Sequence, residues 1–137
     1  MPNEALHGWT RGLVCATSCP VATGAGAEEW LTDYVPGFRF VVTKVTAVVK
    51  VAGTGAGATR LFRVLKGAST VVASKTIALA DVTAKGIKID FTLSTTPENL
   101  VFGDVDTLSI DVTAAGTEFT ALTFDLLIQG RQRQQQL

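Results

Sequence analysis

Apolar and polar residues alternate with a period of two through much of the chain beyond Phe38. In IKIDFTL, Ile87, Ile89, Phe91 and Leu93 fall on one side, and Lys88, Asp90 and Thr92 on the other. In TLSIDVT, Leu108, Ile110 and Val112 alternate with Ser109 and Asp111. In LTFDLLIQ, Leu122, Phe124, Leu126 and Ile128 alternate with Thr123 and Asp125. Over 41–51 the expected inner set is Val41, Thr43, Val45, Ala47, Val49 and Val51, with Val42, Lys44, Thr46, Val48 and Lys50 outside. Successive strand side chains point to opposite faces, so the pattern predicts antiparallel sheets with one buried face each.

The breaks between these runs read as turns. Lys66-Gly67-Ala68-Ser69 separates RLFRVL from TVVASKTIAL, Lys85-Gly86 precedes Ile87, Gly103-Asp104 precedes the Leu108 strand, and Ala115-Gly116-Thr117 follows it. TTPENL predicts one helical turn, with Thr96 as cap and Pro97 first. AEEWLTDY, Ala27 to Tyr34, is the other short-helix candidate. No stretch keeps a helical period over three turns. Six or seven strands with little helix predict an all-β fold, a single antiparallel β-sandwich or jelly roll. The texture divides the chain into an irregular N-terminal arm (1–37), a β-sandwich domain (38–130) and a polar C-terminal tail (131–137).

The 137 residues suit one domain, and the 47% hydrophobic content suits a globular one. Twelve basic and twelve acidic residues cancel, which predicts no attraction to nucleic acid or an anionic membrane. The apolar runs are too short for a spanning helix. The start, MPNEALHGWTRGLVC, lacks a basic segment followed by an apolar block, so synthesis and residence in the cytoplasm of the producing cell are expected.

VVKVAGTGAGATR contains Gly53-Thr54-Gly55-Ala56-Gly57-Ala58, a G-x-G-x-x-A spacing. A loop of that kind holds a pyrophosphate only where a helix opens directly after it, because the helix supplies free N–H groups and a dipole. Gly67 would stop any helix in TRLFRVLK after about two turns, shorter than a crossover helix usually runs. The expected reading is therefore a turn between strands.

Other chemistry is sparse. His7 is the only histidine and lies in the arm, a poor setting for a preorganised base. Cys15 and Cys19 form a C-x-x-x-C pair, open to plain thiols, a local disulfide or weak metal binding. Asp104 and Asp106 lack the donor series of a calcium loop. Asp90, Asp111 and Asp125 read as solvated outward positions. No catalytic residue, cofactor or metal is expected. Trp9, Trp30 and Tyr34 precede the strand region and Phe38 borders it. Aromatics there need cover, either from the chain's own sandwich or from a neighbouring subunit or partner, so these four are the candidate interface residues.

The segments GDVDTLSIDVTAAGTEFTALTFDLLIQ (103–129) and KVTAVVKVAGTGAGATRLFRVLKGASTVVASKTIAL (44–79) resemble small β-sandwich structural proteins of tailed bacteriophages, the capsid decoration or cement proteins. The resemblance spans roughly Phe38 to Gly130 and rests on strand texture and a G-D-x-D-x-L-x-I-D-V pattern. It implies a jelly-roll-like sandwich, no enzymatic activity and a place on the capsid surface of the virion. It also implies the major capsid protein as partner and self-association as a homotrimer. Related sandwiches serve in head fibres and tails, where a carbohydrate- or receptor-binding module is the alternative.

Overall fold

A computed structural model of the chain describes residues 14–19, as backbone, and residues 27–132. It is an all-β sandwich of two antiparallel sheets. The strands are β1 (Val14–Cys19), β2 (Glu28–Tyr34), β3 (Phe40–Thr54), β4 (Thr59–Lys66), β5 (Thr70–Ala78), β6 (Lys88–Asp90), β7 (Thr92–Leu93), β8 (Val101–Phe102), β9 (Leu108–Thr117) and β10 (Ala121–Arg131). Sheet I runs β1-β10-β3-β6, with β8 also paired to β3. Sheet II runs β2-β9-β4-β5-β7. The first strand therefore pairs with the last, β2 with β9, β3 with β8, and β4 with β5. Every connection except the β4–β5 hairpin crosses from one sheet to the other.

The facing sides of the sheets fill one apolar core. Leu108, Ile110 and Val112 are buried as their alternation predicts, and so are Leu122, Phe124, Leu126 and Ile128. Ile89 and Phe91 are buried, while Lys88, Asp90 and Thr92 stay outside. Phe62 of β4 meets Phe124 of β10 edge-to-face across the sandwich, with centroids 5.3 Å apart. Such a pair adds directional preference to the burial of two large rings.

β3 departs from strict alternation. Val42, Val45, Ala47 and Val49 are buried, whereas Val41 and Val51, expected inside, are exposed. The register with β10 explains the change. Gly130 pairs with Val42 and Gln129 with Lys44, so Thr43 is an extra residue; near Lys50 the register shifts again. A bulge inserts one residue and reverses the phase of all that follow. Thr46, also expected outside, is 6% exposed because its hydroxyl donates to Asp90 Oδ1 at 2.8 Å.

The N-terminal side corrects two expectations. Ala27–Tyr34 holds no helix: Glu28–Tyr34 is strand β2, the outer strand of sheet II, and β1 is the outer strand of sheet I. The described parts of the supposedly irregular arm thus extend both sheets before Phe38. β2 pairs Glu29 with Asp111 and Leu31 with Ile110, leaving Trp30 as a bulge. Trp30 and Leu31 both pack on the core as a result, which is why no period of two shows there. Pro97–Leu100 forms the expected turn as a 3-10 helix, but Thr96 caps it without a side-chain bond.

Replacing Phe124 by alanine removes the ring that bridges the sheets. Urea unfolding is expected to show a loss of about 3–5 kcal/mol; a loss under about 1 kcal/mol would contradict this packing.

Candidate interaction surface

The glycine segment is a turn. The chain leaves β3 of sheet I at Thr54 and enters β4 of sheet II at Thr59, so it crosses between the sheets. Gly55 has φ of 126°, and a Cβ there would lie 3.1 Å from Glu118 O and Thr120 N. Glycine is needed for the bend and for the close approach of the β9–β10 connection. Thr54 and Thr120 share a hydroxyl bond of 2.8 Å across the same gap. Thr59–Lys66 is a strand, so the helix that would hold a pyrophosphate is not formed.

Two arginines on β4 have structural partners. Arg60 is 1% exposed, and its Nε donates to Thr113 O at 2.8 Å, with a second bond from Nη2 to the same oxygen. The carbonyl is available because β9 bulges between Val112 and Gly116 opposite Arg60 and Phe62. Arg63 reaches across the outer face of sheet II to Asp111, with Nε to Oδ1 at 2.9 Å and Nη2 to Oδ2 at 2.6 Å. This fork-to-fork geometry is the strongest form of the pair. The Asp111 hydrogen bond raises the Arg63 pKa above its ordinary value, against the lowering effect of burial. Arg63 therefore stays charged, and its contribution falls only as pH rises through that elevated value, above the ordinary arginine range. Asp111 was expected to be solvated, yet the residue is 7% exposed, as is Ser109, whose Oγ accepts from Asp33 N at 3.1 Å. Partners on β4 and β2 cover these outward positions.

The chemistry-bearing candidates do not assemble among the described residues. Among the described residues there is no group of three His, Cys, Asp or Glu placed to hold a metal. Asp106 is engaged locally, its Oδ2 accepting from Gly103 N at 2.7 Å. Asp104 lies 3.6 Å from Arg39 in a pair that is 63% and 78% exposed, a geometry that contributes little to stability. His7 lies outside the described residues. Cys15 and Cys19 sit four positions apart in β1. Their Cα atoms are about 13 Å apart at strand rise, beyond the reach of a disulfide.

The four aromatic candidates separate. Trp9 lies outside the described residues. Trp30 stacks on Phe62 at 5.3 Å and meets Phe124 edge-on at 5.6 Å, so the chain's own core covers it. Phe38 is half-buried against Phe40, which stacks on Phe102 at 4.7 Å. Tyr34 is 48% exposed.

Tyr34 and Phe38 stand at one end of the sandwich, and this end carries a feature that periodicity did not reveal. The exposed large apolar residues among those described are Tyr34, Val35, Val41, Val51, Val101 and Val105. All but Val51 belong to this end. Val41 pairs with Val101 between β3 and β8, Tyr34 pairs with Leu108, and the β8–β9 loop presents Val105 at 83% exposure. Lys66 fixes the end from beneath. Its Nζ donates to Glu98 O at 2.7 Å and Val101 O at 2.9 Å, and lies 6.0 Å from the Phe102 ring centroid. The ammonium adds a second donor to Glu98 O, which already accepts from Val101 N, and ties the turn to β4. Val101 is thus displayed on an anchored strand, and Val105 on the loop that follows it.

No protein-family model, curated protein or solved structure matches the chain.

Two outcomes follow. Asp111→Ala is expected to cost about 1–2 kcal/mol in urea unfolding, below the ~3–5 kcal/mol of a fully buried pair, because Arg63 keeps 31% of its side chain exposed. Titration with NAD or ATP to millimolar concentration is expected to show no saturable binding; a saturable signal lost in Gly55→Ala would restore the nucleotide reading.

Proposed function

We propose that this chain is a non-enzymatic virion structural protein, a decoration or cement protein that binds the outer surface of a tailed-phage head. The observation that carries the reading is the nested strand pairing: β1 with β10, β2 with β9, β3 with β8, β4 with β5. These four nested pairs support reading the sandwich as jelly-roll-like, an architecture of viral capsid and lectin domains. A fold alone does not set a function, so the second support is the apolar end. Tyr34, Val35, Val41, Val101 and Val105 offer a contact surface to the major capsid protein, and exposed apolar groups gathered in one place mark interaction sites. Many copies on one shell turn modest single contacts into firm retention. Charged groups with structural partners, the buried Arg60 and the half-buried Arg63 with Asp111, fit a part selected for stiffness.

The second reading is a carbohydrate- or receptor-binding module of a phage tail or head fibre. Exposed Tyr34 is the observation that favours it, since sugars stack on aromatic faces, and lectins share the jelly-roll architecture. The other ring-bearing residues of this end, Phe38, Phe40 and Phe102, are packed against one another.

The test is co-sedimentation with undecorated phage heads. The wild-type protein is expected to pellet with the heads. A Val101→Asp/Val105→Asp variant, changed only at exposed positions, is expected to stay in the supernatant with its unfolding midpoint nearly unchanged. Wild-type protein wholly in the supernatant, together with saturable binding on a glycan array, would reverse the order of the two readings.

A further inference from the structure

We infer that two copies of this chain join edge to edge through their β1 strands, around a two-fold axis. The pairing rests on the sheets, is independent of what the apolar end binds, and replaces the homotrimer that the resemblance implies with an assembly of two.

Among the described residues, the four sheet margins are unequal. Sheet II ends in β2 and β7. β2 breaks register with β9 twice, carries Asp33 at φ of 50°, and contains Glu28, Glu29 and Asp33. β7 has two residues. On sheet I, the far side of β3 is divided between β6, of three residues, and β8, of two. Bulges, charges and short length are the devices by which a margin refuses another strand. β1 has none of them. Its six residues, VCATSC, keep unbroken register with β10 from Val14↔Gln129 to Cys19↔Phe124. The segment contains no charged residue, no proline and no glycine.

A second copy is the occupant this strand suits. A two-fold axis sets each strand against its own sequence, so any charge in it would face a like charge, which destabilises a cross-strand pair; β1 carries none. The same axis restricts the register. Directly opposed residues of an antiparallel pair either exchange hydrogen bonds or both point them away. The numbers of two opposed residues in a self-pairing strand must therefore have an even sum. Centring on Thr17 meets this rule, and it sets Cys15 opposite Cys19 of the second copy and Ala16 opposite Ser18. The two sheets I would then form one continuous sheet through the axis.

Sedimentation velocity of the full chain under reducing conditions, at about 100 µM, is expected to give a mass of two copies. A mass of one or of three overturns the inference. Register is tested by mild oxidation of Cys15→Ser, Cys19→Ser and an equal mixture. Each variant alone is expected to stay uncrosslinked, and the mixture to give a covalent dimer. Crosslinking of the single variants as fast as the mixture overturns the Thr17-centred pairing. Thr17→Glu places two carboxylates at the axis and is expected to weaken dimerisation several-fold, with recovery on mixing with Thr17→Lys. Circular dichroism of each variant checks that the fold persists, and no recovery in the mixture counts against the axis.

Discussion

The ladder between β3 and β10 is the constraint on which the other elements depend. β3, of fifteen residues, and β10, of eleven, lie at the middle of sheet I, with β1 outside one and β6 and β8 outside the other. β10 contributes an unbroken inner row, Leu122, Phe124, Leu126 and Ile128. β3 is longer and must keep Val42, Val45, Ala47 and Val49 against the same core while the sheet twists. The bulge at Thr43 accomplishes this by shifting which residue faces inward, and two further register shifts follow beyond Val49. A single misplaced residue in this ladder would turn a valine row toward water and lysines toward Phe62 and Phe124.

Around that ladder, the polar groups inside the molecule follow from where strands fail to run in parallel step. β9 bulges opposite Arg60, and the released Thr113 carbonyl accepts the guanidinium. Gly116, within the same irregularity, has φ of 98° and sits where any Cβ would strike the Thr59 carbonyl oxygen. The bulge, the buried arginine and the glycine are thus one local solution. Asp111 and Arg63 solve a different problem, tying β9 to β4 on the outer face.

Strands with clean alternation were legible from the sequence. IKIDFTL, TLSIDVT and LTFDLLIQ lie in the structure with their expected apolar residues turned inward. Bulged strands were not legible, because an extra residue erases the period that identifies a strand: Thr43 hid the true inner face of β3, and Trp30 made β2 resemble a short helix. The turn reading of Gly53–Ala58 followed from the absence of helix signal after it, and Thr59–Lys66 is a strand. Strand order could not be read, since pairing between β1 and β10 joins residues more than a hundred positions apart and leaves no mark on either segment. The apolar end was half visible: Tyr34 and Phe38 drew attention as aromatics, but Val101 and Val105 look like ordinary strand residues. Only the pairing of Val41 with Val101, and the loop that Lys66 and Asp106 fix, bring them together.

The pairing of the first strand with the last has a geometric consequence. Val14 opens β1 beside Gln129, and β10 closes at Arg131 beside Val41. The start of β1 and the close of β10 therefore share the end that carries Val101 and Val105. A peptide inserted in the β9–β10 connection, at the opposite pole near Thr120, would point away from that surface.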